Sequence, residues 1–502
     1  MDPMSFFSTR GGSCVTASQA ILRGLAPDGG LYVPVMFPQV SLEKIGRLGQ
    51  MDYPDRAAAI LKLYLEDFSL QEIDGAVRAA YGPDRFDAEG VAPVKRLNEN
   101  TWIMELFHGP TLAFKDVALQ LLPYLTRMSA VKNGENREIS ILVATSGDTG
   151  KAALEGFRDV PGTSCTVFYP LDGVSDVQRL QMVTTGGANT HVIAVHGNFD
   201  DAQTGVKRLF SSADFAAETD RRGKVLSSAN SINFGRLVPQ VVYYFSAYAD
   251  LVAKGAVLSG DPVNFCVPTG NFGDILAAYY AREMGLPVGK LICASNRNNV
   301  LTDFFSGGIY STHRTFFKTM SPSMDILVSS NLERLLFEAA DRDGALVATW
   351  MRQLNECGSY SVGDQRREWL SRVFRAGCAD DIETAREIGE RFRNDNYLMD
   401  PHTAVASRVL RAYREETGDS EPTVIVSTAS PYKFARDVLC GIAGNGAAEG
   451  MDAFACSRAL EELSGVPMPA QVAKLRDLPV RHTAECDKDR MDEAVLKEFD
   501  RV

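Results

Sequence analysis

Short apolar segments that alternate with helical patterns constrain this fold more than any other feature of the chain. Three such segments, each followed by a helical pattern, lie at 139–145, 165–170 and 191–195. Parallel neighbours in a sheet cannot be joined by a tight turn and need a crossover, usually a helix. The alternation therefore predicts βαβ units and a largely parallel sheet.

A second set of apolar segments follows a long helical pattern at 236–255. These segments lie at 263–268, 291–295 and 423–428. A mostly helical, charged region at 325–420 separates the last two, and the closing segment, 457–502, has a helical and acidic pattern. Continuous apolar runs of this length are typical of strands that are buried on both faces, so a second parallel sheet is predicted.

The predicted fold class is α/β, with two open, mostly parallel sheet domains after an N-terminal accessory region. A chain of 502 residues is long enough for two or three domains. The predicted ranges are 1–100 for the accessory region, 101–235 for a smaller sheet domain and 236–502 for a larger one.

The charge and cysteine content exclude several classes of partner. A net charge of −12 argues against nucleic acid or an anionic membrane as the main partner. Nine cysteines are scattered without a CxxC pair, and no stretch of 18 apolar residues occurs. These observations predict a cytoplasmic protein with neither a disulfide framework nor a zinc site. His191 and His196 are close in sequence, but an odd spacing on a strand directs them to opposite faces, so no metal site is predicted.

The stretch ELFHGPTLAFKD contains one lysine, Lys115, in a run that is otherwise suited to hold backbone and exclude water. A Gly-Pro turn precedes it, and Thr111 is predicted to cap a helix that begins near Leu112. Burying an ammonium is costly, whereas a lysine in a Schiff base avoids that cost and gains an electrophile. Taken alone, the motif is more typical of a solvent-exposed lysine in the first turn of a helix.

Two turns follow predicted strands and precede helices, as anion-binding turns do. In ATSGDTG the candidate residues are Thr145, Ser146, Asp148 and Thr149. The free N–H groups of a helix N-terminus favour an anion such as a carboxylate. The alternative interpretation of this turn is a tight, well-capped connection.

The second turn is PTGNFGD, in which Gly270 and Gly273 flank Asn271 and Phe272. Glycines let the backbone approach a ligand and direct several N–H groups at it. Because no lysine is nearby, the loop suits a cofactor phosphate that is held by backbone amides.

Two further polar sites complete the set. In SSANSINFGR, the residues Asn230, Ser231 and Arg236 are close enough along the chain to converge on one anion, and Arg236 is suited to a phosphate. Thr428 ends the last predicted strand, where open α/β folds bind their ligands. Each of these features alone is more typical of capping than of a site.

Together these features are typical of a pyridoxal phosphate enzyme, since they supply a Schiff-base lysine, a carboxylate turn, a phosphate cradle, an anion pocket and a neutral partner for the ring nitrogen. The motifs HGPTLAFKD, ATSGDTG, SANSINFGR, PTGNFGD and PSMDI resemble the signatures of the threonine synthases, a family of fold-type II pyridoxal phosphate enzymes. The resemblance runs in the expected order from Thr16 to beyond Phe434.

The resemblance implies a cofactor between the two sheet domains, with the cofactor-bearing lysine at Lys115. It assigns the cofactor phosphate to 270–273 with Asp274 beside them, and the ring nitrogen to Thr428. The family commonly has TAHPAKF where this chain has TASPYKF, so Ser430 replaces a histidine and Tyr432 an alanine. The role of that histidine is therefore not carried over.

The implied reaction converts O-phospho-L-homoserine and water to L-threonine and phosphate. One alternative is a phospho-lyase on the same scaffold that releases 2-oxobutanoate, and only product analysis separates the two. The other is a cofactor-retaining regulatory protein without turnover. The intact Lys115, Gly270, Asn271 and Thr428 argue against this last alternative.

Overall fold

The structure is a computed structural model that describes residues 4–87, 89–145, 147–171 and 174–500. Its first segment consists of β1 (Ser5–Ser8), β2 (Gly11–Thr16), α1 (Ala17–Arg23), β3 (Tyr32–Pro34), α2 (Leu42–Leu48), α3 (Tyr53–Leu61) and α4 (Leu70–Ala80). The three strands form an antiparallel sheet in the order β2-β1-β3. Each helix begins after a Thr, Ser or Asp whose side chain accepts from an amide of the first turn, as N-caps do.

The middle of the chain alternates strands with helices. Its elements are β4 (Val94–Asn98), β5 (Thr101–Glu105), α5 (Lys115–Leu119), α6 (Leu122–Lys132), β6 (Glu138–Ala144), α7 (Asp148–Phe157), β7 (Thr163–Pro170), α8 (Asp176–Val183), β8 (Thr190–His196), α9 (Phe199–Ser211), α10 (Ala213–Arg221), β9 (Lys224–Ser227) and α11 (Phe234–Ala253).

The remaining elements begin with another strand and helix alternation and end in a mostly helical tail. They are β10 (Val263–Pro268), α12 (Gly273–Glu283), β11 (Val288–Ser295), α13 (Val300–Gly307), β12 (Ile309–Ser311), α14 (Leu332–Ala339), α15 (Gly344–Cys357), β13 (Ser359–Ser361), α16 (Asp364–Val373), β14 (Phe374–Cys378), α17 (Asp381–Asp395), α18 (Pro401–Thr417), β15 (Thr423–Ser427), α19 (Ala435–Ala443), α20 (Ala453–Ser464), α21 (Ala470–Ala473), β16 (Ala484–Asp487) and α22 (Met491–Phe499). Short 3-10 helices include Pro322–Met324 and Pro431–Phe434.

The two predicted parallel sheets are present. One has five parallel strands in the order β16-β8-β7-β6-β9, and its central strand β7 is buried at every position. The other has six strands in the order β14-β11-β10-β15-β5-β4, parallel except for the antiparallel pair β4 and β5. The α/β fold class with mostly parallel sheets is therefore confirmed.

The sheets group the strands differently from the predicted ranges 1–100, 101–235 and 236–502. The hairpin β4–β5 spans the predicted boundary near residue 100 and belongs entirely to the six-stranded sheet. In the tail, β16 is an edge strand of the five-stranded sheet. Sheet membership depends on pairing with strands far away in the sequence, so a local pattern cannot assign it.

Helix α11 lies in the core between the N-terminal segment and the sheets. Its Phe234 ring packs 4.6 Å from the ring of Phe6 and 5.7 Å from that of Tyr64, measured between centroids. The helix is apolar on nearly all of its surface and is buried along most of its length. Within the described residues, no helix combines the length and apolar character needed to cross a membrane.

Candidate active site

Lys115 is the first residue of α5, and the predicted helix start near Leu112 is wrong. Leu112 has a left-handed backbone with φ of 61°. The backbone here pairs with the segment after β15: the Ser430 amide donates to Leu112 O at 3.0 Å, and the Phe114 amide donates to Thr428 O at 2.9 Å. This pairing brings Lys115 to the carboxyl end of the six-stranded sheet.

Thr111 does not cap this helix through its own side chain as predicted. Its amide donates to Asp116 Oδ2 at 2.8 Å, and its hydroxyl donates to Asp116 Oδ1 at 2.7 Å. The Asp116 carboxylate thus holds residues 111–116 in a closed turn. This turn competes with a helix that would begin before Lys115. Burial raises the pKa of Asp116 to about 6, although the two bonds from Thr111 oppose the rise.

The Lys115 amine is nearly enclosed, since its side chain is 11% exposed. Its Nζ lies 3.8 Å from Asp148 Oδ2 and donates to Ser323 Oγ at 3.5 Å. Burial lowers the pKa of Lys115 to about 8; Asp148 opposes the shift, whereas Arg236 and Lys433 add to it. Near neutral pH, the unprotonated and nucleophilic fraction of this amine is therefore much larger than that of a lysine in solvent.

The turn between β6 and α7 is partly closed by its own threonine. Thr145 Oγ1 accepts from the amides of Gly147 at 2.9 Å and Gly150 at 3.0 Å. The first amides of a helix have no intrahelical acceptor, which leaves those of Asp148 and Thr149 for an anion. Ser146, the fourth candidate of this turn, lies outside the described residues.

The Asp148 carboxylate forms an ion pair and accepts two hydrogen bonds. Its Oδ1 lies 2.7 Å from Lys433 Nζ and accepts from Gln178 Nε2 at 3.2 Å, and its Oδ2 accepts from Ser323 Oγ at 3.2 Å. Burial works to raise the pKa of Asp148, but Lys433 and Lys115 outweigh it and hold that pKa well below its usual range. The carboxylate therefore stays charged.

The glycine loop has the form of a cradle. Phe272, which precedes α12, has φ of 63°, a left-handed conformation that turns the chain sharply into the helix. A methyl group at Gly270 would lie 2.8 Å from Ser323 O, and one at Gly273 would lie 3.4 Å from Asn331 Nδ2. Gly270 therefore favours glycine, because the neighbouring backbone approaches it closely, whereas a methyl group at Gly273 would make an ordinary van der Waals contact.

One buried donor at this loop has no hydrogen-bond acceptor within the described part of the chain. It is Asn331 Nδ2. Asn331 Oδ1 accepts from Arg334, which orients the amide, and the Asn331 backbone amide donates to Asn271 O at 3.1 Å. Buried donors are seldom left unpaired, and an unpaired donor beside a helix N-terminus suits a phosphate. The residues present therefore fit a phosphorylated cofactor.

Asp274 is engaged elsewhere. Its Oδ1 accepts from the hydroxyls of Tyr243 and Tyr244 on α11, the latter at 2.7 Å. Burial raises the pKa of Asp274 to about 6, and the two tyrosines partly oppose this. The Asp274 carboxylate thus contacts the aromatic core of α11, while its amide lies in the first turn of α12 beside the glycine loop.

Arg236 is a buried cation on the first turn of α11. Its Nη1 donates to Ala229 O at 2.8 Å, and burial lowers its pKa to about 10. No carboxylate of the described residues forms an ion pair with it, so an anionic ligand would supply the missing charge. Asn230 and Ser231 lie in the same half-buried loop, but no hydrogen bond joins their side chains to Arg236 among the described residues.

Thr428 follows β15 and is buried at the carboxyl end of that strand, as predicted. The two departures from the family motif have structural partners of their own. Ser430 Oγ accepts from the Tyr432 amide at 3.3 Å, and the Tyr432 hydroxyl donates to Val466 O. Tyr432 therefore packs against the segment after α20.

His402, at the start of α18, is a further residue of the site that was not predicted from the sequence. Its Nε2 accepts from the Ser323 amide at 3.2 Å, and its Nδ1 donates to Asp400 Oδ1 at 2.8 Å. This clamp holds the segment Pro322–Met324 between Lys115 and the glycine loop. Asp400 has the sequence pattern of a helix cap and does not point to a site. The motif PSMDI, which contains Ser323, was therefore the only sequence signal for this clamp.

Comparisons with known proteins agree with this geometry. A family model described as "Threonine synthase N terminus" matches residues 5–81, and one described as "Pyridoxal-phosphate dependent enzyme" matches residues 86–353. The chain is 41% identical to the threonine synthase of Pseudomonas aeruginosa over 482 residues, which cover 95% of this chain and 98% of that protein. It is 42% identical to human threonine synthase-like 1 over 432 residues, 84% of this chain, but spans only 57% of that protein's length.

Solved structures give the same result. The crystal structure of threonine synthase from Brucella melitensis with pyridoxal phosphate bound superposes with a TM-score of 0.87 at 37% identity, covering 99% of this chain and 100% of that one. The yeast threonine synthase structure has the same TM-score at 32% identity, and covers 99% of each chain. The chain therefore belongs to the threonine synthase family of pyridoxal-phosphate-dependent enzymes.

Proposed function

We propose that this protein is a pyridoxal phosphate-dependent lyase that converts O-phospho-L-homoserine and water to L-threonine and phosphate. One observation carries the proposal: the nearly enclosed Lys115 amine shares a buried site with the β6–α7 turn and with the segment Pro322–Met324, which also touches the glycine loop. The similarity to threonine synthase of Pseudomonas aeruginosa along almost the whole of both chains supports it.

Lys115 is the proposed point of covalent attachment for the cofactor. The amides of 270–273 and the Asn331 side chain would hold the cofactor phosphate, and the Thr428 hydroxyl would face the ring nitrogen. When bound, pyridoxal phosphate supplies an electron sink that stabilises negative charge on the substrate carbons. The Asp274 amide, in the first turn of α12, would add to this cradle, while its carboxylate accepts from two tyrosines of α11.

The substrate is bound through its two anionic ends. The amides of Asp148 and Thr149, together with the Thr145–Ser146 part of the turn, would hold the amino-acid carboxylate. Arg236 would bind the departing phosphate, with Asn230 and Ser231 nearby. Two separated anion sites of this kind fix the substrate so that its Cα faces the lysine.

Lys115 is the proposed general base for the proton on Cα once the substrate amine has displaced it from the cofactor. A pKa of about 8 suits this task, because the amine is then able both to take and to return a proton near neutral pH. The Lys115 side chain is 11% exposed, so its amine is largely shielded from bulk water.

The test is product analysis with purified protein, pyridoxal phosphate and O-phospho-L-homoserine. Equal amounts of L-threonine and phosphate are expected, and Lys115→Ala, which keeps the glycine loop, should form neither at a measurable rate. Phosphate with 2-oxobutanoate instead of threonine would identify a phospho-lyase. Cofactor retention without release of phosphate would identify a protein that binds pyridoxal phosphate without turnover.

A further inference from the structure

The side chain of Asp148 poses an electrostatic problem for the proposed site. It lies in the turn whose amides would bind the substrate's carboxylate, and two carboxylates at one site repel each other. Lys433 supplies the opposite charge from the short helix Pro431–Phe434. Its side chain is 0% exposed, and its Nζ lies 2.7 Å from Asp148 Oδ1 and donates to Thr111 O at 2.9 Å.

The remaining contacts of Asp148 hold it in one orientation. Gln178 Nε2 donates to Oδ1 at 3.2 Å, and Ser323 Oγ donates to Oδ2 at 3.2 Å. Lys115 Nζ lies 3.8 Å from the same Oδ2. The carboxylate is thus shared between two lysines, one of which, Lys433, is fully buried and also donates to Thr111 O.

Four charges face Lys115 from four different elements. Asp148 on α7 and Asp116 on α5 favour its ammonium form, whereas Arg236 on α11 and Lys433 disfavour it. Among the described residues, His402 is connected to the lysine through Ser323, and it helps to lower the pKa of Asp148. The charge balance at Lys115 therefore depends directly on whether Asp148 and Lys433 are both present.

We propose that Asp148 and Lys433 form a charge-balanced positioning pair, in which Lys433 cancels the charge of Asp148 so that the turn can accept an anionic carboxylate and Lys115 can act as a free amine. The identity of that carboxylate rests on the proposed function. The effect of the pair on the Lys115 amine does not. Neither side chain is catalytic in this scheme, because each acts through the lysine or the turn.

The two halves of the pair are expected to shift the lysine in opposite directions. Full-length protein freed of cofactor is treated with an amine-acylating reagent at a series of pH values, and Lys115 labelling is quantified by peptide mapping. In Asp148→Asn the midpoint of labelling should fall by about 1 pH unit or more, and in Lys433→Met it should rise by a similar amount. The double variant should return close to the wild-type midpoint.

Lys151→Met is the matched control. Lys151 is also buried, on α7, but it pairs with Glu155 at 2.5 Å and donates to Thr185 Oγ1 at 2.9 Å, and it is not among the charges that act most strongly on Lys115. Its removal should leave the Lys115 midpoint unchanged even where it lowers the unfolding temperature. A purely structural role for the Asp148–Lys433 pair would make the variants resemble this control.

Two comparisons decide the outcome. If Lys433→Met does not fold, Asp148→Asn and the double variant still test the pair, because identical midpoints in these two would show that Lys433 has no influence and would overturn the inference. Shifted midpoints in a protein that makes no threonine would overturn the proposed function alone. Unshifted midpoints in a protein that does make threonine would overturn the pair alone.

Substrate kinetics give a second readout. With Lys433→Met, the unbalanced carboxylate of Asp148 should repel the substrate carboxylate and raise KM for O-phospho-L-homoserine by about 10-fold, the equivalent of one pKa unit of interaction between nearby charges. The double variant should bring KM back towards the wild-type value, because both charges of the pair are then absent. A KM that is unchanged in Lys433→Met would contradict the role of the pair at the turn.

Discussion

At the scale of single residues, the buried cations divide into two kinds. Arg334 donates to Tyr32 O, Asn331 Oδ1 and Ile232 O, so all of its bonding is internal to the fold. Arg236 has one backbone acceptor, Ala229 O, and no carboxylate partner among the residues that the structure describes. A buried charge is costly unless it is paired. Arg236 has one acceptor where Arg334 has three, so an anionic ligand is expected at Arg236.

The variant Arg236→Gln is expected to weaken substrate binding or turnover by about 10–150-fold, the equivalent of one charge-assisted hydrogen bond of about 1.5–3 kcal/mol. Cofactor affinity should hardly change, and stability should be kept. Arg56→Gln, which removes a buried arginine that pairs with Asp250 at 2.7 Å, is the matched control and should lower the unfolding temperature without changing KM. Steady-state kinetics and cofactor titration measure the two effects, and a loss of cofactor with unchanged KM would mean that Arg236 serves the cofactor instead.

Thr428 allows a second prediction at this scale. A hydroxyl donates to an unprotonated ring nitrogen, whereas a carboxylate there would favour the protonated ring and make it a stronger electron sink. Thr428→Asp should therefore retain cofactor, form threonine more slowly and release pyridoxamine phosphate as a side product, detected by chromatography. Thr428→Ser is the conservative control and should keep the wild-type product. A wild-type product profile from Thr428→Asp would place Thr428 away from the ring.

At the scale of elements, the contact between α11 and α12 contains a buried titratable group. Asp274 at the start of α12 accepts from Tyr243 and Tyr244 of α11. Its pKa rises to about 6 in the folded protein, mainly through burial, from an ordinary value of about 3.8. The folded state therefore binds a proton more tightly than the unfolded chain does, and the group stabilises the fold most at low pH.

Relative to Asp274→Asn, the wild type should lose about 3 kcal/mol of unfolding free energy as the pH rises from about 4 to above 6. Stability falls as the pH rises because, between these pH values, the folded state holds a proton on Asp274 that the unfolded chain has lost. Denaturant unfolding at several pH values measures the difference between the two proteins. Parallel pH profiles would show that Asp274 titrates normally.

At the scale of the whole molecule, the C-terminal tail is part of the five-stranded sheet. Strand β16 pairs with β8, and α22 buries Met491, Val495 and Phe499 against Phe168 and its neighbours. Gly205 on α9 makes this possible, since a methyl group there would lie 2.1 Å from the sulfur of Met491. The chain thus closes its second sheet with residues far from it in sequence.

Phe499→Ala should lower the free energy of unfolding by about 3–5 kcal/mol, the usual cost of deleting a buried aromatic ring. Lys497→Ala, an exposed position on the same helix, should change it by less than about 0.5 kcal/mol. Thermal and denaturant unfolding measure both. If the two variants were equally stable, the tail would not contribute to the core of the sheet.

The sequence by itself determined the fold class, the family resemblance and the candidate residues of the site. Local patterns sufficed because apolar strands such as β6, β7 and β8 are short, continuous and separated by helices, and because Lys115 and the glycine loop lie in contiguous motifs. The start of α5, the pairing of β5 and the edge strand β16 were not accessible to local patterns, because each depends on hydrogen bonds to residues hundreds of positions away.

Only the tertiary structure decided which charges meet. Asp148 was a candidate for substrate binding because it lies in a helix-initiating turn, but its carboxylate faces Lys433 and Lys115 from other elements. Asp274 lies next to the glycine loop in sequence and bonds to α11 in space. Electrostatic partners are set by distances between side chains after packing, and sequence spacing carries no information on those distances across elements.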